Sequence, residues 1–221
     1  MKALLFGYKG KVGSIVLEKL EAEGIEVIKI EKEDSLAQKN ISKIDFAIDF
    51  SVCDESVKHA IFCSSIGAPL LICTTGQTEK QIKKLEKLKT AVPIVLCQNT
   101  SVGTGFLLKV LSLANSLGAK YGHIHDIHNI SKKDAPSGTA LVYKNELLKQ
   151  NIKAEISSEK ANHNITSYLI TLYLNNEIIK LKHIVLSKEV FAEGAIEIAK
   201  TLKNLPPKVY INSIFRGCEN D

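Results

Sequence analysis

The chain has 221 residues, of which 45% are hydrophobic and 24% charged, a composition typical of one large or two small globular domains. The net charge of +5 comes from scattered lysines, which excludes a basic nucleic-acid-binding tail, and no apolar run reaches the ~18–20 residues of a membrane span. The five cysteines form no CxxC pair, so neither a disulfide framework nor a metal site is predicted, and we expect a cytoplasmic protein.

The first hundred residues alternate between short apolar runs and amphipathic segments. Each apolar run has the length of a strand and ends in a turn, and each segment between them has helical spacing. Alternation of this kind predicts a doubly wound parallel sheet with helices on both faces. The predicted strands cover residues 3–6, 25–31, 45–51, 69–76 and 92–100, and the predicted helices cover 14–24, 55–67 and 79–91.

The pattern changes after Thr100. We predict one long helix over 101–119, a strand at 123–128, a helix at 139–150, a hairpin of two strands over 165–187, a helix at 191–205 and a terminal strand within 206–217. The α/β prediction is a Rossmann-like domain of residues 1–102 plus 188–221, with an inserted α+β domain of residues 103–187.

The segment GYKGKVG follows the first predicted strand and opens the first helix. It places Gly7, Gly10 and Gly13 at a variant of the dinucleotide fingerprint in which Lys9 replaces the second glycine. Glu31 ends the second strand, where a carboxylate can accept from a ribose hydroxyl, while Lys32 would partly offset repulsion of a 2′-phosphate. The segment predicts a nucleotide site with the choice between NADH and NADPH open; the alternative is that the glycines only shape a tight turn.

Small polar residues follow three further predicted strands, in DFS (49–51), TTG (74–76) and QNTS (98–101). Each cluster alone is ordinary turn chemistry. Their common position at the carboxyl ends of strands is what a cofactor cleft in an open α/β sheet requires.

The mid-chain loop HNISKKDAPSGTA, residues 128–140, combines a histidine, lysines and a Ser-Gly-Thr turn before a helix. Together with GYKGKVG, IDFS, CTTG, QNTSVG and FAEGA, it resembles in order and spacing the 4-hydroxy-tetrahydrodipicolinate reductase family. The resemblance implies reduction of a cyclic dicarboxylate by NADH or NADPH in lysine and diaminopimelate synthesis. It also implies a homotetramer with a nucleotide domain and a substrate domain whose sheets form the tetramer core, without nucleic-acid or membrane partners.

The resemblance assigns residues to three groups. His128 matches the proton donor and Lys132 the catalytic and substrate-binding lysine. A loop with a cation and amide groups at the start of a helix suits a substrate carboxylate. The substrate group is Asn129, Lys132, Ser137, Gly138 and Thr139; the cofactor group is Gly7, Lys9, Gly10, Lys11, Val12, Gly13, Glu31, Lys32, Phe50, Ser51, Thr74, Thr75, Asn99, Thr100 and Ser101.

The chain departs from the family pattern at two places. Asn129 stands where the family has a second histidine, and residues 160–168 keep only Lys160 of the family's R-x-G-x-x-x-G-x-H stretch. Two alternatives therefore stay open. One is a related reductase of another small dicarboxylate, and the other is a catalytically weak nucleotide-sensing homologue.

Overall fold

The computed structural model describes residues 1–31, 41, 43–132, 135–162 and 165–211. The chain divides into two compact units. The first consists of Met1–Ser101 together with the chain from Glu189 onward, and the second is Val102–Lys188.

The first unit contains a six-stranded sheet whose strands all run parallel. Its strands are short and almost continuously apolar, as expected when both faces of a sheet are covered. The spatial order is β10-β5-β4-β3-β1-β2, so the chain reverses its direction of travel across the sheet between β1 and β3. The strands are β1 (Lys2–Phe6), β2 (Glu26–Ile30), β3 (Phe46–Asp49), β4 (Leu70–Ile72), β5 (Ile94–Leu96) and β10 (Val209–Ile211).

Helices cover both faces of this sheet. They are α1 (Gly13–Ala22), α2 (Ser56–Ser65), α3 (Glu79–Glu86) and α6 (Glu189–Thr201). On one face α1 and α6 form a core with the inward side chains of β1, β3, β4 and β5, and α2 belongs to the core on the other face. Helix α6 supplies small residues such as Ala192 and Ala195, which allow it to lie close to the sheet.

The second unit contains a four-stranded mixed sheet in the order β7-β6-β8-β9. Its elements are α4 (Val102–Leu111), β6 (Tyr121–Asn129), α5 (Gly138–Lys149), β7 (Lys153–Ala161), β8 (Thr166–Tyr173) and β9 (Ile178–Val185). Strands β6 and β7 are parallel, whereas β6–β8 and β8–β9 are antiparallel. Ile124 of β6 and Ile170 of β8 are buried. They lie on the face of the sheet that carries Tyr168, whose ring packs against Tyr143 of α5. The predicted fold class is confirmed by the two sheets.

The structure differs most from the sequence prediction at two places. The helix predicted over 101–119 ends at Leu111 and continues as turns. Ser112 and Ser116 donate their hydroxyls to carbonyl oxygens three residues earlier, and Gly118 has a φ of +87°. Serine side chains that bond nearby carbonyls, followed by a left-handed glycine, favour turns over a longer helix.

Strand β7 was not predicted. Its sequence KAEISSEKA contains more charged and small residues than large apolar ones. It forms an edge of the sheet, where charged side chains are common because they discourage pairing with other chains. The strong apolar alternation used to detect strands is therefore weak here.

Three of the cysteines, Cys63, Cys73 and Cys97, are buried. Burial raises the pKa of the Cys97 thiol to about 12 and that of Cys63 and Cys73 further above the usual range. These thiols are protonated and unreactive at neutral pH. Within the described ranges, no helix is long and apolar enough to span a membrane, and no cluster of three metal-binding side chains occurs.

Candidate active site

The glycine loop between β1 and α1 is packed against the end of β3. Gly7 has a φ of +74°, and a Cβ atom there would lie 2.5 Å from the carbonyl carbon of Phe50 and the amide nitrogen of Ser51. A Cβ atom on Gly13 would lie 2.1 Å from the oxygen of Gly7. Side chains are therefore excluded at both positions, and the close-packed loop leads directly into the N-terminus of α1.

A cavity of about 290 Å³ lies beside this loop at the carboxyl ends of β1, β2 and β3. Four of the residues predicted to bind the cofactor line it: Gly7, Lys9, Glu31 and Ser51. The cavity is at the point where the sheet order reverses. Ligands of open α/β sheets bind at such a point.

Glu31 is held at the cavity by two residues of the glycine loop. Its Oε1 accepts a hydrogen bond from the Tyr8 hydroxyl, and its Oε2 lies 2.7 Å from Lys9 Nζ. The hydrogen bond with Glu31 raises the pKa of the Lys9 ammonium and that of the Tyr8 hydroxyl. Lys9 is thus the immediate cationic neighbour of the predicted ribose-binding carboxylate; Lys32 lies outside the described residues.

His59 of α2 also lines the cavity and was not predicted from the sequence. Its Nδ1 lies 2.8 Å from Oδ2 of Asp49, which is fully buried, and its ring stacks on Phe6 at 3.9 Å between centroids. Oδ1 of Asp49 accepts hydrogen bonds from the amide and the hydroxyl of Ser51, at 2.8 Å and 2.5 Å. This network fixes the end of β3 beneath the cavity. The available signal was an aspartate in the buried strand FAID, since a buried carboxylate requires partners.

The other residues of the glycine loop that were predicted to bind the cofactor are not among those that line the cavity. Lys11 is exposed, Gly10 donates its amide to Gly7 O at 3.0 Å, and Val12 packs against the core on the α1 side of the sheet. Phe50 packs against the same core.

The ends of β4 and β5 carry the other polar residues predicted for the cleft. Thr74 is buried, and its hydroxyl forms a hydrogen bond with the Ser56 hydroxyl at 2.8 Å and accepts one from Gln77 Nε2 at 2.6 Å. Thr75 is exposed. These side chains lie at the same edge of the sheet as the cavity, because Asp49, Ile72 and Leu96 are aligned in the parallel register.

Beyond β5, Asn99 Oδ1 accepts from the amide of Ser101 at 3.0 Å. The Thr100 hydroxyl donates to the carbonyl of Phe191 at 2.6 Å. The second contact joins the segment after β5 to α6.

In the second unit, His128 lies near the end of β6 beside a buried carboxylate. Its Nδ1 is 3.5 Å from Oδ2 of Asp126, and Ser137 donates its amide to the same oxygen at 3.0 Å. Burial alone would raise the pKa of Asp126, but hydrogen bonds from Ser158 and Ser137 and the nearby His128 keep it below its usual value. Asp126 is therefore ionised at neutral pH and links the predicted proton donor to the start of α5.

The residues predicted to bind the substrate lie between His128 and the first turn of α5. The Ser137 hydroxyl caps α5 by accepting from the amide of Ala140 at 3.1 Å, and Gly138 and Thr139 begin the helix. The first turn of a helix presents amide groups and positive potential to anions.

The loop before that helix begins with a turn. Asn129 Oδ1 accepts from the amide of Ser131 at 2.9 Å, and its carbonyl accepts from the amide of Lys132 at 2.9 Å. Asn129 thus shapes the turn that carries Lys132. The next two residues, 133 and 134, lie outside the described part of the chain.

A second feature that was not predicted is an aromatic cluster around Tyr168. The hydroxyl of Tyr168 lies 3.2 Å from Nε2 of His128, and its ring packs against Tyr143 and His183. Tyr168 is the last residue of the stretch in which the sequence departs from the family pattern. The alternation of β8 predicts that its side chain is buried, but its partner on another strand depends on the register of the sheet.

Comparisons with known proteins place the chain in a family. Residues 1–100 match the family model described as the N-terminus of dihydrodipicolinate reductase, and residues 106–213 match the model for its C-terminus. The chain belongs to the dihydrodipicolinate reductase family. The resemblance found in the sequence is confirmed, as is the assignment to the NAD(P)H-dependent oxidoreductases, and the non-enzymatic alternative is not favoured.

Individual relatives agree with this assignment. A 4-hydroxy-tetrahydrodipicolinate reductase of Thermosipho africanus is 33% identical over 205 residues, covering 92% of each chain. The enzyme of the same name from Brachyspira hyodysenteriae is 33% identical over 233 residues, covering 95% of this chain and 97% of the relative. The fold is similar to a dipicolinate-bound dihydrodipicolinate reductase from Paenisporosarcina sp. TG-14, with a TM-score of 0.74, 16% identity and coverage of 96% and 97% of the two chains.

Proposed function

We propose that the chain reduces 4-hydroxy-tetrahydrodipicolinate to tetrahydrodipicolinate with NADH or NADPH, a step of lysine and diaminopimelate synthesis. The proposal depends on the arrangement of residues 126–139, in a chain that belongs to this reductase family. It combines a histidine beside an ionised carboxylate with the N-terminus of a helix. This is the chemistry needed to supply a proton and bind a carboxylate.

The first unit is proposed to hold the nucleotide. The close-packed glycine loop and the N-terminus of α1 suit the pyrophosphate, and the Glu31 carboxylate suits the adenosine ribose. Ser51, the strand ends at Thr74 and Thr75, and the segment Asn99–Ser101 are proposed to face the nicotinamide. When bound, the nicotinamide supplies the hydride.

The second unit is proposed to hold the substrate. Lys132 and the first turn of α5, at Gly138 and Thr139, bind a carboxylate, and His128 supplies the proton that accompanies the hydride. Asn129 forms the turn that positions Lys132. Dipicolinate, the ligand of the Paenisporosarcina protein, is a ring with two carboxylates, which agrees with a dicarboxylate site in the related fold.

The protein is further proposed to be a cytoplasmic homotetramer that assembles through the sheet of the second unit. The face of this sheet opposite Tyr143 carries Glu155 on β7 and Lys180 on β9, aligned through His123 and Thr171. The same face exposes Ile178 and Ile184. A face with an acidic edge, a basic edge and exposed isoleucines suits pairing with a second copy. Sedimentation measurements at low and high salt test the assembly; a monomer at all concentrations contradicts it.

The function is tested by following nucleotide oxidation when the preceding synthase generates the substrate in the same solution. We expect oxidation of NADH or NADPH that depends on the synthase and is inhibited by dipicolinate. Omission of the synthase is the control. Nucleotide binding without any oxidation would contradict the proposal and favour a nucleotide-sensing role.

The substrate site is tested by Lys132→Ala. Removal of one partner of a desolvated charge pair costs roughly 2–5 kcal/mol, so we expect turnover to fall by about 30- to several-thousand-fold. Affinity for the nucleotide measured by titration should stay unchanged. Lys120→Ala is the matched control, because Lys120 is an exposed lysine of the same unit. Equal losses in both variants would show that Lys132 is not specific to the substrate.

A related dicarboxylate remains the second candidate substrate, because Asn129 and Tyr168 stand where the family has histidines. Asn129→His restores the family residue at one of these positions. Relative kcat/KM values for several cyclic dicarboxylates distinguish the two candidates. If the variant gains activity on 4-hydroxy-tetrahydrodipicolinate, the chain is a reductase of that substrate. If the wild type prefers another dicarboxylate and the variant loses that preference, the second candidate is correct.

A further inference from the structure

Tyr168 occupies a defined place beside the proposed proton donor. It lies on β8 directly opposite Asp126 of β6, and His128 is two residues further along the same strand. Residues two apart on a strand share a face, so Asp126, His128 and Tyr168 point to the same side of the sheet. Tyr168 is only 4% exposed.

The two ring nitrogens of His128 have different partners. Nδ1 faces the carboxylate of Asp126 at 3.5 Å, and Nε2 lies 3.2 Å from the Tyr168 hydroxyl. An ionised carboxylate beside Nδ1 favours the tautomer with its proton on that nitrogen. Nε2 is then the nitrogen that gains and loses a proton, and it is the one that contacts Tyr168.

A phenol can accept one hydrogen bond while donating its own proton. From this geometry we propose that His128 delivers its proton to the substrate through the hydroxyl of Tyr168. The inference rests on the proposed function. Hydride addition leaves an electron pair on the substrate, and that pair takes the hydroxyl proton of Tyr168. As this O–H bond breaks, the Nε2–H bond of the imidazolium breaks and a new O–H bond forms, leaving a neutral imidazole that solvent reprotonates.

The surroundings of Tyr168 keep its ring in place for this transfer. Its ring meets Tyr143 edge-on, with centroids 5.6 Å apart, and stacks with His183 at 5.9 Å. The ring of His128 is also edge-on to Tyr168. The described groups near His128 on the neighbouring strands include Tyr168 on β8 and Lys160, its register partner on β7.

The same cluster provides a matched control. The hydroxyl of Tyr143 lies 3.3 Å from Thr104 Oγ1 and 3.3 Å from His183 Nδ1. Tyr143→Phe therefore removes a buried phenol hydroxyl from this cluster without removing the hydroxyl that contacts His128. A general effect of losing such a hydroxyl would be equal in both variants.

The first experiment compares Tyr168→Phe with Tyr143→Phe in the coupled assay. Loss of a proton-transfer group typically lowers the rate by about 10²–10⁴-fold. We expect kcat of Tyr168→Phe to fall by this amount, with KM and nucleotide affinity nearly unchanged, and kcat of Tyr143→Phe to change only a few-fold. The double variant with His128→Ala should be no slower than His128→Ala alone. A wild-type kcat and pH profile in Tyr168→Phe would overturn the inference.

Two further measurements do not depend on that variant's activity. The wild-type rate in mixtures of light and heavy water should follow a curve, because two protons move together; a straight line would overturn the relay. Nitrogen NMR of the wild-type protein without substrate, at a pH where the imidazole of His128 is neutral, should show its single proton on Nδ1; a neutral ring with that proton on Nε2 would also overturn the relay. If the wild type oxidises no nucleotide, the proposed function fails, whereas an active wild type with an unaffected Tyr168→Phe variant refutes only the relay.

Discussion

At the scale of single residues, the Glu31 carboxylate is already bound to a cation before any nucleotide arrives. Its contact with Lys9 spans the glycine loop and the end of β2. Lys9 takes the place of a fingerprint glycine, so the residue that makes the sequence motif weaker supplies the partner of the carboxylate proposed to bind the ribose. This pairing orients Glu31, and at the proposed ribose site it would place a positive charge beside a 2′-phosphate.

Glu31→Ala is expected to change the cofactor preference. NADH should lose the hydrogen bond from its ribose to a charged acceptor, worth about 1.5–3 kcal/mol, or roughly ten- to hundredfold in affinity. NADPH should bind as well as before or better, because Lys9 is released to pair with its phosphate. Dissociation constants from fluorescence titration measure both effects. Glu55→Ala, which changes another acidic residue of the same cavity, is the control. If Glu31→Ala weakens the binding of NADH and NADPH equally, Glu31 only supports the structure of the glycine loop.

The residues that could be predicted share a local motif. Gly7, Glu31 and Ser51 were found by their spacing after strands, and the structure brings all three to one cavity. His59 and Tyr168 could not be found in this way. Their partners, Asp49 and His128, are separated from them in sequence and meet them only through the pairing of strands and helices. A lone histidine or tyrosine with a regular apolar spacing looks like an ordinary core residue.

At the scale of elements, the position of α6 depends on a residue without a side chain. A Cβ atom on Gly194 would lie 1.7 Å from the backbone oxygen of Thr100. The helix is therefore in backbone contact with the segment after β5, and the Thr100 hydroxyl reinforces the contact through Phe191. The motif FAEGA was recognised in the sequence, but its reason is this close approach, which no periodicity reveals.

Gly194→Ala should destabilise the first unit. Overpacking of a tight contact typically costs about 1–3 kcal/mol, and here the opposing atom belongs to the backbone, which cannot rotate away. We expect a lower free energy of unfolding in urea and weaker nucleotide binding, because the shift reaches Asn99 and Ser101. Glu193→Ala, in the same helix turn, should cost less than about 1 kcal/mol, since it removes only an exposed ion pair with Lys19. An unchanged stability of Gly194→Ala would contradict the importance of this contact.

At the scale of the whole molecule, two titrating groups make stability depend on pH in the same direction. Burial lowers the pKa of His183, and the net effect of its surroundings lowers the pKa of Asp126. A group with a lowered pKa binds its proton more readily in the unfolded chain. Each contribution is therefore complete above the unfolded pKa, about 6.5 for histidine and 3.9 for aspartate, and is lost as the pH falls towards the folded value.

Urea unfolding between neutral and acidic pH tests this dependence. We expect the free energy of unfolding to decrease below about pH 6.5 as His183 begins to protonate in the unfolded chain, and to decrease again below about pH 4 through Asp126. His183→Asn should remove the first decrease while keeping the second. His125→Asn changes a histidine on the opposite face of the same sheet and should keep the His183 step. If the free energy of unfolding of His183→Asn still decreases below about pH 6.5, another group causes that decrease.

The return of α6 to the first unit also affects the order in which the chain acquires structure during synthesis. The ribosome releases residues 1–101 first, yet the helix that completes the α1 side of their core begins at Glu189. The second unit is continuous in sequence and is complete by Lys188. It can therefore finish folding while the earlier sheet still exposes apolar side chains to solvent. During that interval we expect the N-terminal half to be prone to aggregation and to chaperone binding, and the docking of α6 to end its exposure.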